Sequence, residues 1–267
     1  MAELVNTSGH AEHHSLVSGQ AWVDSPAARR SKSPLSLLCR ALESGGKVMM
    51  IVGDVGGTIR SWGTKTRVAL KMKSNSEGRD VLTPDQILNK VADAKSVGVK
   101  LNFDRIGIFE ETMKILKAMS GKIKFPLWLN ADTDNMEDKD IDKFLSLCTH
   151  NFPKATISIG MLHKGQTLRF EEGYNEKLVT QLKNTLIRNN VTQTVAFPVK
   201  FTKAVDSVDT LAALKDVQGI TDSALYIYSG FVETHGNDRL PNARKLIKIF
   251  GKKRVYLDTP DYVYKKV

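Results

Sequence analysis

The residues able to do chemistry in this sequence sit at the ends of apolar runs. Phe125-Pro126-Leu127-Trp128-Leu129 gives way abruptly to Asn130, Ala131 and Asp132. Val48–Val52 runs into Gly53 and Asp54, Val97–Leu101 into Asn102, and Arg254–Leu257 into Asp258. Lys71 and Lys100 belong to the same set. Carboxylates and amide oxygens gathered at one mouth could hold a divalent cation. Lysines there would instead receive a phosphate or carboxylate. Carboxylates beside lysines also make ordinary structural ion pairs. The candidate pocket is therefore Asp54, Lys71, Lys100, Asn102, Asn130 and Asp132. No metal is expected in it; if one bound, Asp54 and Asp132 would be the ligands, and no histidine ends a strand.

A polar group at the end of an apolar run needs an element to aim it. A strand covered on both faces is apolar without alternation, so these short runs predict parallel strands. Pro126 can only begin such a strand, having no N–H to give the ladder. Between the runs lie helical patterns. Thr83-Pro84 is an N-cap followed by proline at the first helical position, with Ile87, Leu88, Val91 and Ala94 on one face. Further helices are predicted at Pro34–Leu42, 109–119, 137–148, 175–190, 206–217 and 241–250. Ala21-Trp22-Val23 and Thr66–Lys71 are strand candidates, with Gly56-Gly57 and Gly63 in a loop before the latter. The 194–199 strand carries Pro198, which points to an edge or loop there. Eight or nine strands alternating with helices call for a parallel sheet with right-handed crossovers. No dinucleotide-binding fingerprint or Walker A pattern is present, so a single closed (β/α)8 barrel is expected.

The 267 residues suit that fold, and 41% hydrophobic with 25% charged residues is ordinary for a globular chain. No apolar run reaches the roughly 20 residues of a bilayer span, and no signal peptide opens the sequence. A cytoplasmic location is the expectation. Residues 1–20 read as a disordered tail, and 21–267 as one domain. Cys39 and Cys148 are expected as buried thiols. Nine basic residues against Asp258 and Asp261 lie between Arg239 and Val267, contributing seven of the net +10. Ala243, Leu246, Ile247 and Phe250 make an apolar stripe there with the lysines off it, which is the pattern of a solvated helix. Nucleic acid is not the expected partner, because no aromatic residues interleave with the basic ones. His150, His163 and His235 stand at no triad or metal-ligand spacing, and GxSxG, HExxH and CxxC are absent.

In order along the chain, Val48–Val55, Gly98-Val99-Lys100-Leu101-Asn102-Phe103, Leu129-Asn130-Ala131-Asp132 and Ile157-Ser158-Ile159-Gly160 resemble motifs of the menorin family. That family's domain is similar to the phospholipase C-like and glycerophosphodiester phosphodiesterase barrels. The resemblance implies a fold in which carboxylates hold Ca²⁺ or Mg²⁺ while histidines act as acid and base. The departures from the pattern bear on activity. Val52 stands where the family has a glutamate, and Asn102 where it has an aspartate. Lys71 is the nearest residue to one expected histidine, and Trp22-Val23-Asp24-Ser25 occupies the region of the other. Each lost proton-transfer group is typically worth 10²–10⁴-fold in rate.

The expectation is a menorin-like pseudoenzyme: a phospholipase C-like TIM barrel of phosphodiesterase type, without a cofactor, that binds a small anionic ligand or a protein partner. Lys71 would pair with Asp54 where a cation would otherwise stand. The alternative is a phosphodiesterase using Mg²⁺ or Ca²⁺ on a phospholipid or glycerophosphodiester. A nucleic-acid binder using the basic C-terminal region is the weaker alternative.

Overall fold

The computed structural model describes residues 50–62, 65–72, 82–94, 97–162, 173–229 and 237–259, and over 58–62 and 65–72 the backbone alone. Among these residues one eight-stranded sheet runs in the order β2-β1-β3-β4-β5-β6-β7-β8. The strands are β1 (Met50–Trp62), β2 (Lys65–Met72), β3 (Gly98–Phe103), β4 (Leu127–Ala131), β5 (Thr156–Ile159), β6 (Val195–Lys200), β7 (Ser223–Tyr228) and β8 (Val255–Asp258). Seven are mutually parallel, and only β2 runs antiparallel, to β1. The helices are α1 (Pro84–Ala94), α2 (Ile106–Ala118), α3 (Asp138–Asn151), α4 (Glu176–Arg188), α5 (Phe201–Val205), α6 (Val208–Ala212) and α7 (Leu240–Phe250). The sheet curls so far that Trp128 of β4 meets Tyr256 of β8, their ring centroids 4.7 Å apart. The architecture is α/β and TIM-barrel-like. No β8–β1 pairing occurs among the described residues, so the described sheet is a curled part-barrel rather than the closed ring expected.

Local chemistry explains most boundaries. The Thr83 N–H donates to the Gln86 side chain at 2.9 Å, the reciprocal half of a capping box, so α1 begins at Pro84. Asn175 caps α4 by accepting from the Leu178 N–H at 3.0 Å. Gly251 follows α7 at φ 87°, a conformation glycine adopts freely, and its N–H closes the helix onto the Ile247 carbonyl. At Gly98 a side chain has no room, because a Cβ would lie 2.8 Å from Met50 Sδ and 2.9 Å from the Pro126 carbonyl. Three strands therefore approach closely at the base of the sheet.

Three expectations are corrected. Gly56-Gly57 does not end β1; the strand runs on to Trp62 and forms a hairpin with β2, in which Gly56 faces Lys71. The 206–217 helix is instead two short helices. Ser207 lies between them, its Oγ donating to the Lys203 carbonyl and accepting from the Tyr174 N–H. Pro198 sits inside β6, an interior strand, and is tolerated because pairing to β5 stops at Ala196. The expected strand at 21–23, the helix at 34–42, Cys39, His163 and His235 lie outside the described residues.

The sheet separates two apolar layers. Outward-facing Val99, Leu101, Phe103, Leu129, Ile157, Phe197 and Leu225 pack under the helices with Phe109, Phe144, Leu182 and Leu246. Phe109 bridges Phe103 at 4.9 Å and Phe144 at 4.5 Å between ring centroids. Inside the curl, Met50, Val52, Trp128, Ala196, Ala224, Tyr226 and Tyr256 form a second, smaller cluster. This inner cluster is the floor on which the polar strand ends stand. No helix among the described residues is long and apolar enough to cross a membrane.

Candidate functional site

Register brings the inward side chains into rows, because residues directly opposite in a ladder share a face. Asp54 lies opposite Asn102, Asn102 opposite Asn130, and Asn130 opposite Ser158. The contacts follow the register. Asn102 Nδ2 donates to Asp54 Oδ1 at 2.7 Å, and Ser158 Oγ donates to Asn130 Oδ1 at 2.6 Å. Asp54 and Asn102 are half-buried at the mouth, whereas Asn130 and Ser158 are buried. Four of the strands thus contribute to one polar wall, β3, β4 and β5 at their ends and β1 where it passes.

Lys100 lies one pleat below this wall, opposite Val52 and Trp128. It is 3% exposed, and its ammonium stands 4.3 Å from the centroid of the Tyr226 ring. An aromatic face attracts a cation through its quadrupole, and this helps to hold a charge inside the curl. Tyr226 in turn donates its hydroxyl to Asp258 Oδ2 at 2.5 Å. The far wall, at the ends of β6, β7 and β8, carries Lys200, Tyr228 and Asp258 in register. Tyr228 stacks on Tyr226, ring centroids 6.1 Å apart at 24°. Burial pushes the Tyr256 phenol well above its ordinary value of 10.0, and the negative charge of Asp222 adds to the effect.

The structure therefore unites Asp54, Asn102, Asn130 and Lys100. Asp132 behaves differently. Its carboxylate accepts from the Asp134 N–H at 3.2 Å and from Asn135 Nδ2 at 2.8 Å, shaping the loop after β4. Its own N–H donates to the Phe103 carbonyl. Asp132 is a turn residue, and its two oxygens are directed to its own loop. Lys71 is placed by register opposite Gly56, on the antiparallel strand, and its pairing with Asp54 falls on a side chain outside the described residues. Sequence reasoning missed Ser158, Lys200 and the aromatic residues of the far wall. The signal available was the period-two pattern Tyr226-x-Tyr228, inward on β7.

A phosphodiesterase fold implies a divalent cation, and the described donors do not suit one. Asp54 Oδ1 receives an amide N–H, and Val52, on the same inward face, is packed with Trp128. Among the described residues no three His, Cys, Asp or Glu side chains come together as a metal set. His150 is exposed at the end of α3, its Nδ1 2.7 Å from the Ser146 carbonyl. Cys148 is buried and free, and burial raises its thiol well above the ordinary value.

The basic C-terminal helix is partly neutralised by neighbours. Lys245 meets Asp209 at 2.8 Å, Arg254 meets Asp222 at 2.9 Å and Arg239 meets Asp206 at 3.6 Å. An arginine or lysine held by a carboxylate releases fewer counterions from a nucleic acid.

Comparison with known proteins bears on the fold and the family. The crystal structure of a glycerophosphodiester phosphodiesterase from Parabacteroides distasonis ATCC 8503 matches with a TM-score of 0.53. The match covers 92% of this chain and 93% of that one at 13% identity, a likeness of fold alone. Protein FAM151B from Homo sapiens is 28% identical over 166 residues, 60% of this chain and 58% of that protein. The match thus spans less than two thirds of that relative. The menorin N-terminal domain pattern matches residues 30–264. With that match running over most of its length, the chain belongs to the menorin family and carries its N-terminal domain.

Proposed function

We propose that the chain is a catalytically degenerate phosphodiesterase barrel whose mouth binds a small anionic ligand without metal-dependent turnover. The observation that carries this is the Asn102–Asp54 hydrogen bond. An amide donor meets the Asp54 carboxylate, which is the service a cation performs in a hydrolytic mouth. Val52 beside it offers hydrocarbon where a second carboxylate would be needed. Lys100 and Lys200 supply positive charge at the floor and the far wall, and so favour an anion.

The test is a melt of the full chain with EDTA, then Mg²⁺ or Ca²⁺, beside an assay of glycerophosphocholine hydrolysis. A native-state metal site gains about 2.7 kcal/mol when the ion is at a hundred times its dissociation constant. The expected result is no such gain, no hydrolysis, and stabilisation by inorganic phosphate. Hydrolysis that requires the divalent ion would sink the proposal and establish a working phosphodiesterase.

A further inference from the structure

We infer that the β1–β2 hairpin is a binding surface for single-stranded nucleic acid, with Arg60, Lys65, Arg67 and Lys71 for its phosphates and Trp62 for a base. This goes beyond the small-ligand reading of the mouth and does not rest on it. Pairing of β1 to β3 ends at Val55 and Phe103, whereas pairing to β2 continues to Trp62 and Lys65. From Gly56 to Trp62, β1 is therefore paired to β2 alone among the described strands and stands beyond the end of β3. Alternation fixes what each face of this ribbon carries. Val55 is buried in the layer beneath the helices, so Gly57 and Ile59 share its face, with Leu70 and Val68 opposite them. Helices α1 and α2 lie against β2, which accounts for the apolar character of that face. The other face continues the row of Asp54 above the mouth. Its opposed positions include Gly56 and Lys71, Arg60 and Arg67, and Trp62 and Lys65. Four cations and a tryptophan thus share one face, and from Val55 to Ser76 the sequence has no acidic residue.

Arg60 and Arg67 stand directly opposite one another, and like charges so placed weaken a ladder. An anion between them removes that repulsion, so the complementary partner is negative. Lys65, Arg67 and Lys71 follow one another along β2 at steps of roughly 7 and 14 Å. A file of charges suits a linear polyanion, whereas a free phosphate would engage one step of it. Trp62 adds a π-face at the end of the file, and an aromatic residue among cations is what the C-terminal region lacks. A bilayer is a poorer match, because interfacial binding needs a broad apolar face turned to lipid, and the apolar face here is the helix side. A duplex is poorer as well. Its bases are already stacked on one another, and Thr58 and Ala69, between the cations, are not the bidentate residues that read a major groove.

The experiment is fluorescence anisotropy of the full chain with labelled oligo(dT), oligo(U) and a duplex of equal length, beside sedimentation with phosphatidylserine vesicles. The single strands should bind most tightly and lose affinity steeply between about 50 and 200 mM salt. The double variant Arg60→Gln, Arg67→Gln should lower the salt slope by about 1.4, two phosphate contacts at about 0.7 each. It removes an opposed pair of like charges, so its melt should not fall below that of the parent. Trp62→Ala should weaken single-strand binding about tenfold with the slope unchanged, and Trp62→Phe should keep most of the affinity. Single-strand binding that these variants leave unchanged would overturn the inference; its loss in a Lys248→Gln, Lys252→Gln, Lys253→Gln chain instead would move it to the C-terminal region. A preference for the duplex, or no binding of either single strand at the lower salt, would overturn it too. Vesicle capture without oligonucleotide binding would make the hairpin a lipid contact.

Discussion

Asn102 Nδ2 lies 2.7 Å from Asp54 Oδ1, an amide donating to a carboxylate across the β1–β3 step. Replacing Asn102 by Asp would set two carboxylates opposite one another at the same register. Like charges so placed repel, and one would hold its proton or draw in a cation. Asn102→Asp is expected to cost about 1–3 kcal/mol in EDTA, the price of a lost and unreplaced buried contact. Mg²⁺ or Ca²⁺ should recover part of that loss in the variant and not in the parent. Equal melts for the two proteins in EDTA would show that the contact contributes nothing to folding.

Trp128 fills the inside of the curl. It is fully buried, edge-on to Tyr256 at 4.7 Å and to Tyr226 at 6.4 Å. Trp128→Ala leaves a cavity that neighbouring strands cannot close, so a loss of about 3–5 kcal/mol is expected in urea denaturation. Trp128→Phe keeps an aromatic edge and should cost less. A small loss for Trp128→Ala would mean that the inner cluster is loosely packed.

Alkaline pH should destabilise the protein through two buried groups. Burial raises the Cys148 thiol from 9.0 and, with Asp222 adding, the Tyr256 phenol from 10.0. A raised folded-state value means that the unfolded chain releases its proton first. The contribution is therefore complete below the unfolded values and is lost as pH climbs toward the folded ones. Stability should hold steady through neutrality with respect to these groups and fall above pH about 9. Cys148→Ala should remove the early part of that fall and Tyr256→Phe the later part, as read from melts between pH 7 and 11.

The ion pairs around α7 are exposed to unequal degrees. Lys245→Ala, at a surface pair with Asp209, should change stability by less than about 0.5 kcal/mol. Arg254→Ala should cost more, because the guanidinium is half-covered and its partner Asp222 is itself held by the Ser223 N–H. Binding of duplex DNA should be weak and fall steeply with salt, as non-specific attraction does. Tight binding that survives 200 mM salt would revive the nucleic-acid reading.

Much of the barrel was legible in local pattern. Apolar runs such as Leu127–Leu129 and Val97–Leu101 are strands because only a doubly covered strand is apolar without alternation, and Pro84 and Gly251 bracket helices through backbone chemistry alone. The Asp54, Asn102 and Asn130 strand ends could be named for the same reason. What the sequence could not supply was the partnership among them. Asn102 meets Asp54, and Ser158 meets Asn130, only because parallel register aligns strands far apart in the chain. Asp132 follows Asn130 by two residues, yet the strand has ended, so its carboxylate turns to its own loop. The far wall of Lys200 and Tyr228, and the placing of Lys100 over Tyr226, depend on how tightly the sheet curls. Curl is a collective property of all the strands and their packing, and no single stretch of sequence encodes it.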